Sequence, residues 1–197
     1  TDKVTVTVGG YTVTLSNDFD GAGTATPDAD YTFTAKNTHY DYDVIAKIGD
    51  TQLTVTDNGD GRYTISKEQI NGNITVTATK TAKQYDVTVT GNGAADVTAP
   101  AKATYGTDYT YTLTQDSNYA YTVKITAGST EITSELQEGT ANQYKIAGDK
   151  ITGPVEINVA KEQTAGTITF EGEGAGDVVG GTSQNALLHQ NFTFTIT

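Results

Sequence analysis

Two stretches decide the fold: Tyr11-Thr12-Val13-Thr14-Leu15-Ser16 and Tyr85-Asp86-Val87-Thr88-Val89-Thr90. In both, apolar side chains alternate with polar ones. A period of two puts Val87 and Val89 on one face of an extended chain and Thr88 and Thr90 on the other, whereas an amphipathic helix needs its apolar residues three and four apart. Each stretch therefore predicts a strand with one buried face, and the β-branched Val and Thr suit a pleated surface.

Working outward, the two strands start 74 residues apart, and the landmarks that follow keep step. Asp30-Tyr31-Thr32-Phe33-Thr34 returns as Asp108-Tyr109-Thr110-Tyr111-Thr112. His39-Tyr40-Asp41-Tyr42-Asp43-Val44 returns as Asn118-Tyr119-Ala120-Tyr121-Thr122-Val123. Tyr63-Thr64-Ile65 and Ile70-Asn71-Gly72-Asn73-Ile74-Thr75-Val76 return as Tyr144-Lys145-Ile146 and Ile151-Thr152-Gly153-Pro154-Val155-Glu156-Ile157. A third copy opens at Gly166-Thr167-Ile168-Thr169-Phe170 and reaches Asn191-Phe192-Thr193-Phe194-Thr195, the counterpart of Asp30 to Thr34. Val4-Thr5-Val6-Thr7-Val8 resembles a closing strand, Ile74-Thr75-Val76-Thr77-Ala78. The expected division is thus a tail strand of a preceding module (1–10), two modules (11–84 and 85–163) and the first part of a third (164–197). A window on a longer tandem array is the expectation.

Within a module, strands are predicted near 11–16, 30–36, 40–48, 51–56, 62–66 and 73–79, with equivalents near 85–90, 108–114, 119–127, 130–135, 143–147 and 154–160. Turns rich in Gly, Asn and Asp separate them, notably Gly49-Asp50 and Asn58-Gly59-Asp60-Gly61. Ser66-Lys67-Glu68-Gln69 offers one helical turn at most. Six or seven short strands in some 75 residues make an all-β fold of small sandwiches. The junctions Lys80-Thr81-Ala82-Lys83-Gln84 and Lys161-Glu162-Gln163-Thr164-Ala165 lack Gly-Ser runs and predict restricted angles between modules. With strands of about 20 Å, each module would advance such an array by roughly 35 Å.

Composition narrows the function. The 197 residues carry 24 acidic and 12 basic side chains, a net charge of -12, two His and no Cys, Met or Trp, while about one residue in five is Thr. Without cysteine there is no disulfide framework, thiol nucleophile or zinc-thiolate site. An acidic chain repels phosphate backbones, so nucleic acid is not an expected partner, and no apolar run is long enough to span a membrane as a helix.

Candidate sites are few. Asp57, Asn58, Asp60 and Glu68 invite comparison with a calcium loop, but Gly59, Gly61 and Arg62 fall where side-chain oxygens and the invariant Gly belong, so a hairpin turn is expected. A looser calcium site built from acids near the junctions is the remaining metal option. His39 and His189 occupy different module positions and read as surface histidines. Gly172-Glu173-Gly174-Ala175-Gly176-Asp177 contains G-x-G but has no basic residue for a phosphate, and reads as a loop. The pairs Tyr40 with Tyr42, Tyr109 with Tyr111, and Tyr119 with Tyr121 each share a strand face, as core or as a platform for a sugar, with core the expected role. Tyr63 and Tyr144 are candidates for corner tyrosines bonded to backbone. A Lys to Asn or Asp isopeptide bond is not expected, because the first strands contain no Lys. Asn73-Ile74-Thr75 and Asn191-Phe192-Thr193 match the glycosylation triplet by chance in so Thr-rich a chain. No catalytic, cofactor-binding or metal residue is assigned, and no cofactor is expected.

Asp57-Asn58-Gly59-Asp60-Gly61-Arg62-Tyr63-Thr64-Ile65 resembles the D-N-G-D-G-x-Y segment that recurs in immunoglobulin-like repeats of filamins, invasins and bacterial surface adhesins. The whole-module pattern, from Y-x-V-T-V through D-Y-T-Y-T to I-x-G-x-I-x-V, is similar to tandem repeats in large cell-wall or surface-layer-associated proteins of gut Firmicutes. Module two departs at the turn, with Glu135-Leu136-Gln137-Glu138-Gly139-Thr140-Ala141-Asn142-Gln143 in its place. The resemblance implies tandem immunoglobulin-like β-sandwiches at the bacterial cell surface, forming a stalk, fibre or adhesin spacer and not an enzyme. Its partners would be neighbouring modules, surface glycans or proteins, or further copies of itself. The alternatives are an extracellular filament assembled by strand donation, with Val4–Val8 as the donated strand, and a glycan-binding module.

Overall fold

The computed structural model describes residues 9–136, 140–187 and 190–196. The expected tail strand Val4–Val8 and His189 lie outside the described residues. The chain divides into two compact units, Thr1–Lys83 and Gln84–Thr197. The fold is all-β, with no α-helix among the described residues.

The first unit runs β1 (Tyr11–Leu15), β2 (Phe19–Gly21), β3 (Thr24–Ala25), β4 (Tyr31–Ala35), β5 (Tyr40–Ile48), β6 (Thr51–Leu53), β7 (Val55–Asp57), β8 (Arg62–Ile65), a 3-10 turn (Lys67–Gln69) and β9 (Ile74–Ala82). They form two sheets, β3-β1-β9-β5-β6 and β2-β4-β8-β7. One core lies between them: Val13, Ala46, Ile74 and Val76 from the first sheet meet Phe19, Phe33, Tyr63 and Ile65 from the second. The alternation read from the sequence sets these faces, since Tyr31 and Phe33 are buried while Thr32 and Thr34 are exposed.

The second unit repeats this strand for strand as far as Gln163. It runs β10 (Gln84–Thr90), β11 (Val97–Thr98), β12 (Lys102–Thr104), β13 (Tyr109–Leu113), β14 (Tyr119–Ala127), β15 (Thr130–Ile132), β16 (Glu135–Leu136), β17 (Gln143–Ile146) and β18 (Val155–Gln163). Its sheets, β12-β10-β18-β14-β15 and β11-β13-β17-β16, have the same neighbour order as those of the first unit. Ring pairs recur in register: Phe33 stacks on Tyr63 at 5.4 Å between centroids, and Tyr111 on Tyr144 at 5.4 Å. Beyond β18 come β19 (Ala165–Thr169) and β20 (Ser183–Leu187), paired antiparallel as β10 is with β12, and a bridge from Val178 to Ile196 that parallels the β11–β13 contact.

The structure adds elements that the alternation did not reveal. The strand expected at 51–56 is two strands in different sheets, with Thr54 between them as the crossing point. There the Gln69 side chain stands in for a strand partner: its Oε1 accepts the Thr54 N–H at 2.7 Å and its Nε2 donates to the Thr54 carbonyl at 3.1 Å. The short strands β2 and β3 escaped prediction because two or three residues cannot display a period. The closing strands run on into the expected junctions, so only Lys83 separates β9 from β10 and only Thr164 separates β18 from β19.

Candidate functional site

The feature built alike in both units is the contact between the first and last strands. β1 pairs parallel with β9, Val13 opposite Ile74 and Leu15 opposite Val76. β10 pairs parallel with β18, Val87 opposite Val155 and Val89 opposite Ile157. The last strand sits centrally and carries fully buried apolar residues, Ile74, Val76, Val155, Ile157 and Val159, each no more than 1% exposed. Its other edge pairs antiparallel with β5 or β14 along all nine residues of each.

In the second unit, side chains reinforce the parallel ladder. Asn92 treats Lys161 as a strand partner, its amide donating to the Lys161 carbonyl at 2.8 Å while its carbonyl accepts the Lys161 N–H at 2.7 Å. Thr90 donates to Glu156 at 2.7 Å and accepts from the Asn158 amide at 2.8 Å. In the first unit Asn73 accepts the Thr12 N–H at 3.0 Å.

A repeated ion pair closes the far end of each ladder. Lys80 Nζ lies 2.5 Å from Asp18 Oδ1, and Lys161 Nζ lies 2.7 Å from Asp96 Oδ2. Each lysine also lies over a tyrosine ring, Lys80 over Tyr40 and Lys161 over Tyr119, both at 5.0 Å from the centroid. The Tyr121 hydroxyl donates to Asp96 at 2.9 Å. The hydrogen bonds from Lys161 and then Tyr121 hold the Asp96 carboxyl below its ordinary pKa, while the bond to Asp96 raises Lys161. Lys80 is likewise raised by its bond to Asp18. Tyr42 and Tyr121 are both raised, chiefly by desolvation.

Amide formation between lysine and aspartate needs a neutral amine and a protonated acid, whereas the hydrogen bond between Lys161 and Asp96 favours the charged form of each. The pair acts as a latch between the last strand and the turn before β2 or β11. The second latch is better shielded, with side chains 23% and 24% exposed against 43% and 30% in the first.

The other candidate residues fall into place around this frame. Tyr109 and Tyr111 are buried, whereas Tyr40, Tyr42, Tyr119 and Tyr121 are half-buried around the latches. The tyrosine hydroxyls that donate to backbone are not those of Tyr63 and Tyr144. They are Tyr31, donating to the Ala22 carbonyl at 2.5 Å, Tyr109, donating to the Pro100 carbonyl at 2.6 Å, and Tyr42, donating to the Asn37 carbonyl at 3.1 Å. The recurring Asp of the D-Y-T motif also has a defined task. Asp30 accepts the Lys67 N–H at 2.8 Å and Asp108 the Gly148 N–H at 3.0 Å, each at the start of a 3-10 turn. The His39 carbonyl accepts the Lys83 N–H at 3.0 Å, and the Asn118 carbonyl the Thr164 N–H at 2.8 Å, so this position serves the junction through its backbone.

The Asp57–Arg62 run is a hairpin turn between β7 and β8. Asp57 accepts the Gly59 N–H at 2.8 Å, Asn58 donates to Thr64 at 2.7 Å, and Glu68 lies apart on the 3-10 turn. Gly172–Asp177 is a loop ending in a 3-10 turn, Ala175–Asp177, that matches Ala94–Asp96. Among the described residues, no group of three or more His, Asp or Glu is placed to hold a metal ion, and no helix is long and apolar enough to cross a membrane. No family model, curated protein or solved structure matches the chain.

Proposed function

We propose that the chain is a mechanical segment, a tandem array of small immunoglobulin-like β-sandwich modules in the stalk, fibre or adhesin spacer of an extracellular bacterial surface protein. The observation that carries this reading is the parallel pairing of first and last strands in both units. When two neighbouring parallel strands are pulled by the N-terminus of one and the C-terminus of the other, the force runs along the strands in opposite directions. The ladder is then loaded in shear, and its bonds must fail together; an antiparallel terminal pair would peel open one bond at a time. The Asn92, Thr90 and Asp96 bonds to β18 span the same contact and share that load.

The remaining features suit an extracellular spacer. Outward threonines favour strands without creating apolar patches. The charge of -12 keeps copies apart in solution. The absence of cysteine makes folding indifferent to redox conditions.

Single-molecule stretching by the two ends tests the reading. Each unit should give a discrete force peak and release about 250 Å of chain, the contour length of some 75 residues. Smooth extension at low force, without peaks, would remove the mechanical reading.

A further inference from the structure

The chain holds three Asn-Gly pairs, Asn58-Gly59, Asn71-Gly72 and Asn92-Gly93. Such a pair is chemically labile in water, because the glycine nitrogen can attack the asparagine side-chain carbonyl carbon and glycine has no Cβ to block the approach. A bond forms between the glycine N and Cγ, the Cγ–Nδ2 bond breaks, and ammonia leaves with the backbone proton. Water then opens the five-membered imide at either carbonyl. The products are aspartate and isoaspartate, the second with its main chain routed through the side chain. Two groups must be free for this chemistry: the glycine N–H, which gives up its proton, and the asparagine amide, which swings toward it.

The fold ties down both groups in two of the pairs. The Asn92 side chain holds both backbone groups of Lys161, at 2.8 and 2.7 Å, and the Gly93 N–H donates to the Val159 carbonyl at 2.9 Å. The Asn58 side chain donates to Thr64 at 2.7 Å, and the Gly59 N–H donates to the Asp57 carboxylate at 2.8 Å. The negative charge of Asp57 also opposes loss of that proton. At the third pair, neither the Asn71 side chain nor the Gly72 N–H has a hydrogen-bond partner among the described residues, and Asn71 is exposed. Packing accounts for the glycine, since a Cβ at Gly72 would lie 2.7 Å from Ile48 Cγ2. The second unit keeps that glycine without the asparagine, as Thr152-Gly153.

We infer that Asn71 is a site of spontaneous deamidation, with water as the co-reactant, and that folding protects Asn58 and Asn92 from the same reaction. The bonds on the protected pairs must open before attack, and each lowers the open population by up to about tenfold. Asn71 lies between the 3-10 turn (Lys67–Gln69) and β9, close to Asn73, whose side chain accepts the Thr12 N–H at 3.0 Å. Isoaspartate there inserts an extra main-chain atom just ahead of the pairing of Ile74 with Val13. This chemistry belongs to one loop and stands apart from the mechanical reading.

The test incubates the folded chain, the chain in urea and the Asn71→Gln variant at mildly alkaline pH, with peptide mapping by mass spectrometry over time. In the folded chain Asn71 should convert at least about tenfold faster than Asn58 or Asn92. In urea the three should convert at closely similar rates, because the hydrogen bonds that separate them are gone. Asn71→Gln, with its circular dichroism unchanged, should lose the fast-forming isoaspartate, since the longer side chain closes the ring far more slowly. Mapping by peptide separates these products from isoaspartate formed at Asp20-Gly21 or Asp60-Gly61. Asn58 or Asn92 converting as fast as Asn71 in the folded chain would overturn the inference. So would an Asn71 lead of the same size in urea, which would assign the ranking to local sequence and not to the fold.

Discussion

Tyr31 and Tyr109 show how much of each unit hangs on single atoms. Each ring is buried and each hydroxyl donates to a carbonyl nine residues earlier, at Ala22 and Pro100. Removing that hydroxyl deletes the hydrogen bond of a buried ring, so Tyr109→Phe should cost the second unit about 1 kcal/mol in urea unfolding, with the fold intact. Burial pushes the Tyr109 phenol up to about 12. Its stabilising effect is thus complete below the ordinary tyrosine value near 10 and is lost as pH rises toward about 12. Absorbance titration of the native protein should show this phenol ionising late, together with the buried Tyr31, Tyr63 and Tyr111, and Tyr109→Phe should reduce the amplitude of that late step. Gly91 is the other sensitive point. It has φ +91°, and a Cβ there would lie 2.2 Å from the Val159 carbonyl oxygen of the last strand. Gly91→Ala should destabilise the second unit by about 1–3 kcal/mol from backbone strain alone, with the clash added, as measured by thermal melting.

At the scale of elements, the last strand organises each unit. β18 meets β10 on one edge and β14 on the other, buries Val155, Ile157 and Val159, and ends in the Lys161–Asp96 latch. Asp96 is held below its ordinary pKa, so it binds fewer protons folded than unfolded near pH 4. Its contribution is present above the unfolded value of about 3.9 and is lost as pH falls through the lower folded value. Asp96→Asn should therefore lower the stability of the second unit at neutral pH and flatten its decline in acid, which melting curves between pH 2 and 7 would reveal. The same variant should lower that unit's peak in stretching experiments while leaving the first unit's peak unchanged. An unaltered acid limb would mean that the latch is formed too weakly in solution to matter.

For the whole molecule, the prediction is autonomy. Every buried residue in the core of the first unit falls between Val13 on β1 and Val76 on β9, and both of its sheets close within the unit. A polypeptide of residues 11–84 should give a β-type circular dichroism spectrum and a single cooperative melt, and a disordered spectrum would reject that boundary. Calorimetry of the full chain with millimolar calcium should shift its transitions by no more than a few degrees, because the acidic turn at Asp57–Arg62 spends its groups on its own hydrogen bonds.

The alternation of apolar and polar residues by itself determined the longer strands and their buried faces, and the repeat determined that the same set of elements would be built twice. Both are local properties, since a period of two follows from backbone geometry and the polarity of neighbouring residues. Periodicity names a face and not a partner, however. Only the tertiary structure decided that the first strand lies parallel to the last, that 51–57 divides between two sheets at Thr54, and that Tyr31 and Tyr109 make the hydroxyl bonds for which Tyr63 and Tyr144 were candidates. The Asp18–Lys80 and Asp96–Lys161 latches belong to the same class. Their members stand 62 and 65 residues apart, and nothing in either neighbourhood marks one for the other until two sheets close on a common core.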